Sequence, residues 1–149
     1  MTLPMTLEPR SPLPVHRRVA PLAAVGVSRL LIACCTPYRL EKVLRRLSRR
    51  AAPASYDEAL RARRDVVAVS GRCAGQYCLD RSVAAAVLAR FRGRWPTWVS
   101  GVSLIPFAAH AWIEADGRPV GETLKLDGFQ KNIVVAGPRP APAPEKAEE

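Results

Sequence analysis

Histidine is scarce in this 149-residue chain, which carries only His16 and His110. Lysine is scarce too. Lys42, Lys125, Lys131 and Lys146 are the whole set, so the net charge of +10 rests mainly on arginine. Aromatic residues reach only 6%. Each shortage removes a class of function. The two histidines do not complete a zinc set with Cys34, Cys35, Cys73 and Cys78, whose spacings fit no common zinc motif. All four cysteines read as reduced thiols in a cytoplasmic protein that holds no metal. The basic surplus suits an acidic partner. Sparse aromatics and the lack of a recognisable nucleic-acid motif argue against nucleic acid as that partner. No phosphate-cradling glycine loop is present, so the chain itself is not expected to handle ATP or another cofactor. No uninterrupted apolar run approaches the ~20 residues that cross a bilayer. The longest apolar stretch, Val19 to Cys35, follows Arg17-Arg18, and Leu31-Ile32-Ala33-Cys34 has the look of a lipoprotein cleavage box. Arg29 interrupts it, and the expectation is a buried amphipathic helix.

What is present is enough for one domain. Hydrophobic residues make up 48%, which supports a core. Residues 1–18, with Pro4, Pro12 and Pro14, read as a flexible arm, and residues 19–136 as a single domain. Residues 137–149, with Pro138, Pro140, Pro142 and Pro144, read as a disordered tail. Leu40, Val43, Leu44 and Leu47 make an apolar stripe on a helix over 38–50. Arg39, Arg45, Arg46, Arg49 and Arg50 surround that stripe, either as a solvated face or as a docking surface. Ser55-Tyr56-Asp57-Glu58 is a capping box opening a helix that runs to about Ala68. Residues 72–77 read as a loop. A further helix starts near Cys78 and ends before Gly93, with Leu79, Val83, Val87 and Phe91 on one face.

After Pro96 the period changes to two. Strands are expected over 98–104 and 110–115, with an Asp116-Gly117 turn returning the chain antiparallel to Leu124 and a last strand over 131–136. The layout is α+β: N-terminal helices, then a nucleophile-bearing helix packed on an antiparallel sheet.

A thiol attacks a carbonyl as thiolate, and a helix N-terminus with a nearby imidazolium lowers its pKa. Cys78 at a helix start and His110 on a later strand fit that need. An acid that orients the imidazole would complete the set. If Ala115-Asp116-Gly117 is a three-residue loop, His110 faces Glu122 across the hairpin. A two-residue Asp116-Gly117 loop pairs Ala111 with Glu122 and aims the carboxylate elsewhere. Asp116 reads better as a turn residue, and Asp127 stands in reserve. The Cys78 backbone amide and the Gln76 side chain are the candidate oxyanion donors.

The stretch Cys73-Ala74-Gly75-Gln76-Tyr77-Cys78-Leu79-Asp80-Arg81-Ser82, followed by Pro106-Phe107-Ala108-Ala109-His110-Ala111-Trp112 and on to Glu122, resembles the lasso-peptide leader peptidases. These are stand-alone B-type maturation proteases with a transglutaminase-like, papain-related core. The resemblance covers roughly residues 20–136 and implies a cysteine protease that removes the leader from a ribosomally made precursor. It implies Cys78 as nucleophile, His110 as general base and Glu122 as the acidic member, where the family pattern has aspartate. It also implies partners: the precursor leader peptide, a separate leader-recognition protein (a PqqD-like RiPP recognition element) acting in trans, and an ATP-dependent lasso cyclase. Arg39, Arg45, Arg46 and Arg49 would be the docking residues for that assembly. Two other readings stand beside this one: a transglutaminase or acyltransferase on the same core, and a basic, non-catalytic peptide- or nucleic-acid-binding module.

Overall fold

The computed structural model describes residues 7–138; the expectations for residues 1–6 and 139–149 lie outside the described residues. Five helices come first in the sequence and most of the sheet comes last, as the α+β reading expects. Helix α1 (Val19–Cys34) stops where Thr36 precedes Pro37, because a residue before proline is driven to extended backbone. Thr36 then caps α2 (Pro37–Ser48), accepting from Arg39 N–H at 3.4 Å, with proline in the first turn where no amide is missed. After β1 (Ala52–Pro53), the capping box forms as read: Ser55 Oγ accepts from Glu58 N–H at 3.2 Å and Glu58 accepts from Ser55 N–H at 2.9 Å. It opens α3 (Tyr56–Val69). Residues 72–77 are not all loop: Gly71–Ala74 forms a one-turn helix, α4, capped by Ser70. Helix α5 (Cys78–Phe91) follows.

Helix α5 is the centre of the domain. Every residue from Asp80 to Ala89 is buried. The small side chains Ala84, Ala85, Ala86 and Ala89 let α1, α3 and the sheet all approach it closely. Helix α1 corrects an expectation. Its fully buried residues are Pro21, Ala24 and Ser28, with the Ser28 hydroxyl donating to Asp80 O at 3.2 Å, while Val25, Leu31 and Ile32 are only partly buried against the core. Val19, Leu22 and Leu30 face outward. No helix among the described residues is long and apolar enough to cross a membrane.

Strand β2 (Arg94–Trp95) pairs parallel with β1, and β3 (Thr97–Leu104) and β4 (Phe107–Ala115) form the central hairpin. The expected return strand to Leu124 is cut short: β5 is only Arg118–Pro119. Strand β6 (Gln130–Val135) does not extend a meander either. It crosses over to pair with β3, giving the order β5-β4-β3-β6. Its register slips between Ser100 and Gly101 of β3. Gly101 is obligatory there, because a Cβ would sit 2.8 Å from Gln130 O and 2.9 Å from the Trp112 ring. The sheet is fastened to α5 by Trp98 Nε1, which donates to Ser82 Oγ at 3.0 Å.

Residues 7–18, expected as a free arm, lie against the domain. Glu8 N–H donates to Ala74 O at 3.0 Å, Arg10 reaches Ala68 O at 3.4 Å, and Val15–Arg17 forms a 3-10 turn leading into α1. Proline removed helical periodicity from this stretch without removing its anchors, which are charged and backbone groups.

Candidate active site

The nucleophile position is built by the turn before α5. Tyr77 has φ −83° and ψ 72°, the geometry of an inverse γ-turn, and Cys78 N–H donates to Gln76 O at 2.9 Å across it. Arg81, one helical turn on, reaches back to hold this segment. Its guanidinium donates to Gly75 O at 2.9 Å and to Cys73 O at 3.2 Å. Arg72 adds a second tie, to Asp80 at 2.9 Å, while lying over the Tyr77 ring at 3.6 Å. Cys78 is thus the first helical residue, fixed from both sides.

His110 comes from β4, whose outer edge is covered by β5 only at Glu114 and Ala115. The start of α5 meets that edge lower down, where His110 and the Ala111 backbone act on the Cys78 thiol to lower its pKa. The ring is held by stacking on Trp112, with centroids 5.8 Å apart and planes 18° apart, and by Phe129 at 6.1 Å. His110 Nε2 meets Glu122 Oε2 at 2.8 Å. Nε2 being engaged by Glu122, Nδ1 is the other ring nitrogen, the one a base in such a site would turn to its nucleophile.

The Glu122 contact arises by a route the sequence argument had ruled out. The hairpin pairs Ala115 with Arg118 and Glu114 with Pro119, so the loop is the two-residue Asp116-Gly117. Their φ values of 52° and 74° are those of a type I′ turn. In a continuous ladder that register would place Glu122 beside Ala111. The ladder instead stops after Val120 N–H donates to Ile113 O at 2.9 Å, and Gly121 turns the chain at φ 63°. A Cβ at Gly121 would sit 3.1 Å from Leu60 and 3.2 Å from Arg63, so glycine serves both conformation and space. The turn swings the carboxylate onto His110. Asp116 is a turn residue, and its carboxylate also accepts from Tyr56 N–H at 2.9 Å.

Beneath Glu122 lies a group the sequence reading missed. Arg63 of α3, with a side chain only 6% exposed, stands 3.7 Å from Glu122 Oε1. The available signal was a charge inside the apolar stripe Ala59, Ala62, Val66 of α3.

Burial alone would hold the Cys78 thiol above its ordinary value of 9.0, but the hydrogen bonds from His110 and Ala111 and the charges of His110 and Arg81 bring it below. Burial would likewise lower His110, yet Cys78 and Glu122 push it up to about 9. Glu122, despite its burial, is held below the usual carboxylate range by His110, then Arg63 and Arg81. The three shifts together favour a thiolate–imidazolium pair backed by a carboxylate. Cys73 behaves oppositely: it is fully buried, and burial raises its thiol.

The expected oxyanion pair is not assembled. The Cys78 amide is engaged in the γ-turn rather than free, and Gln76 is exposed, reaching Cys78 through its backbone carbonyl and not its side chain. The expected docking residues Arg39, Arg45 and Arg46 on α2, and Arg49 at its C-cap, are exposed, and α2 packs on β6 at the sheet edge opposite β5. They do not join the Cys78 cluster. Arg45 is partly neutralised by Glu41 at 2.7 Å. Asp127 is not among the groups that shift His110.

A half-buried cysteine at a helix start, a histidine on the antiparallel sheet and a carboxylate just beyond its edge strand make up the candidate site. The chain matches the transglutaminase-like superfamily over residues 22–134 and belongs to it. Members are typically cysteine peptidases or acyltransferases. Neither the curated proteins nor the solved structures contain a significant match to the chain.

The charge states set a pH dependence. Peptide cleavage needs the thiolate to attack and imidazolium to protonate the leaving amine. Activity should rise as pH passes the lowered Cys78 pKa and fall again near pH 9, where His110 gives up its proton. Alkylation of Cys78 by iodoacetamide needs only the thiolate. It should follow the first limb and show no fall at the second. An alkylation curve with a single midpoint at the ordinary thiol value would mean that the ion pair does not form.

Proposed function

We propose that this protein is a cytoplasmic cysteine peptidase that removes the leader from a ribosomally synthesised lasso-peptide precursor. The observation that carries the reading is the contact of His110 Nε2 with Glu122 at 2.8 Å, on a ring that Cys78 and Glu122 together push up to about 9. The likeness of residues 73–82 and 106–122 to the leader peptidases narrows the substrate class. The Cys78 thiolate adds to the carbonyl of the last leader residue. The tetrahedral intermediate collapses as His110 gives its proton to the departing amine. The core peptide leaves with a free N-terminus, and the leader remains as a thioester on Cys78. His110, now neutral, takes a proton from water, which attacks the thioester and releases the leader as a carboxylate. Glu122 holds the imidazole in orientation through both steps.

The partners of this reading are the precursor's leader, a leader-recognition protein that presents it, and an ATP-dependent cyclase that takes the freed core. The exposed arginines of α2, Arg39, Arg46 and Arg49 above all, are the surface offered to that assembly, on the face away from the site. The test is mass spectrometry of the precursor incubated with this protein and the recognition protein. Two fragments should appear whose masses add up to precursor plus one water. Loss of ammonia or coupling to an added amine would move the protein to the transglutaminase or acyltransferase reading. An intact precursor would overturn peptidase function.

A further inference from the structure

Arg63 does not stand alone with Glu122. Its guanidinium makes a two-pronged pair with Glu8, at 2.6 and 2.7 Å. Arg81, which holds the Cys78 loop, lies 3.8 Å from the same Glu8 carboxylate. Charges therefore alternate inward from the surface: Glu8, then Arg63 and Arg81, then Glu122, then His110, then Cys78. Glu8 belongs to the N-terminal segment, ahead of the region that matches the superfamily. That segment is pinned beside the site by the Glu8 N–H bond to Ala74 O and by Arg10.

A buried guanidinium needs a carboxylate in good geometry. With Glu8 present, Arg63 keeps its bidentate pair there and stands back from Glu122 at 3.7 Å. Without Glu8, the carboxylate left within reach of Arg63 is Glu122. The guanidinium would close on it and draw the carboxylate away from the imidazole. We propose that Glu8 is a positioning residue: it holds Arg63 and Arg81 so that Glu122 remains the partner of His110. The N-terminal segment is then part of the active-site machinery. The proposal rests on the Cys78–His110–Glu122 arrangement and not on the identity of the substrate.

The sign of the effect follows. If Glu122 leaves His110, the imidazolium loses its partner and the thiolate loses the imidazolium, so Cys78 needs a higher pH to ionise. The charged and titratable groups around the pair are Glu8 on the N-terminal segment, Arg63 on α3, Cys78 and Arg81 on α5, His110 on β4 and Glu122 after β5. The experiment is iodoacetamide alkylation of the full chain across pH, with modification at Cys78 quantified by peptide mass. It needs no leader peptide, so its failure is separate from failure of the peptidase reading. Glu8→Gln should raise the midpoint of the Cys78 curve by about one pH unit. Glu8→Asp, which keeps the charge on a shorter arm, should reverse most of that shift. Glu8→Gln combined with Arg63→Met should return the midpoint to the native value or below, because the competitor for Glu122 is gone. A lowered melting temperature with the native midpoint in Glu8→Gln would make the segment a structural strap only and overturn the proposal. So would a double variant that keeps the raised midpoint.

Discussion

Cys78→Ala should reduce the proposed leader cleavage by about 10⁴-fold or more, to what binding alone supports, while the circular dichroism spectrum stays native. Among the described residues, Cys78 is the cysteine that acts on His110. The fold should survive because Cys78 is only half-buried and because His110 keeps Glu122, at 2.8 Å, once the thiol is gone. Cys73→Ala is the informative control. Cys73 lies five positions upstream in the same segment but is fully buried, with its thiol raised by that burial. Its loss leaves a small cavity and should cost about 1 kcal/mol in stability, with cleavage nearly intact. Single-turnover cleavage and a thermal melt for both variants decide the matter. A dead, well-folded Cys73→Ala beside an active Cys78→Ala would transfer the chemistry to the buried cysteine.

The features legible in the sequence were those encoded locally. The Ser55–Glu58 capping box, Pro37 in the first turn of α2, the apolar stripe of α2 and the Asp116-Gly117 turn all draw on neighbours within a few residues. They came out close to where the sequence put them. What escaped depends on distant groups. The 55-residue reach from Glu8 to Arg63 has no periodic signature, so proline-rich sequence read as a free arm. The crossover of β6 to β3 leaves the same alternation as a meander would. The Cys78 amide looked free because helix starts leave their first amides unpaired, yet the γ-turn at Tyr77 uses this one. Glu122 was named for a hairpin register that does not occur. It reaches His110 because Gly121 breaks the ladder, and a glycine after Val120 was the sequence sign of that break.

Glu122→Gln should lower single-turnover cleavage by roughly 10²–10⁴-fold, with much less effect on peptide affinity. The amide is nearly the same size and can still touch His110 Nε2, but it cannot stabilise imidazolium as a carboxylate does. Glu122 is one of the two groups that raise His110 to about 9, so the alkaline limb of activity should move toward neutrality. The Cys78 alkylation midpoint should rise in the same variant, since the thiolate depends on the imidazolium. The loss has a second source. Arg63 would keep Glu8 but face a neutral amide at 3.7 Å, and the buried positive charge would further disfavour imidazolium. Glu122→Asp should recover part of the rate, limited by an arm one methylene shorter across a 2.8 Å contact set by Gly121. Asp116→Ala is the control on the same hairpin. It removes the bond to Tyr56 N–H at 2.9 Å and a residue suited to positive φ, so it should cost about 1–2 kcal/mol in stability. Both pH limbs should remain in place. Full activity with native pH limbs in Glu122→Gln, together with a folded but inactive Asp116→Ala or Asp127→Ala, would take the orienting role from Glu122. It would also leave the buried Arg63–Glu122 contact as a purely structural pair.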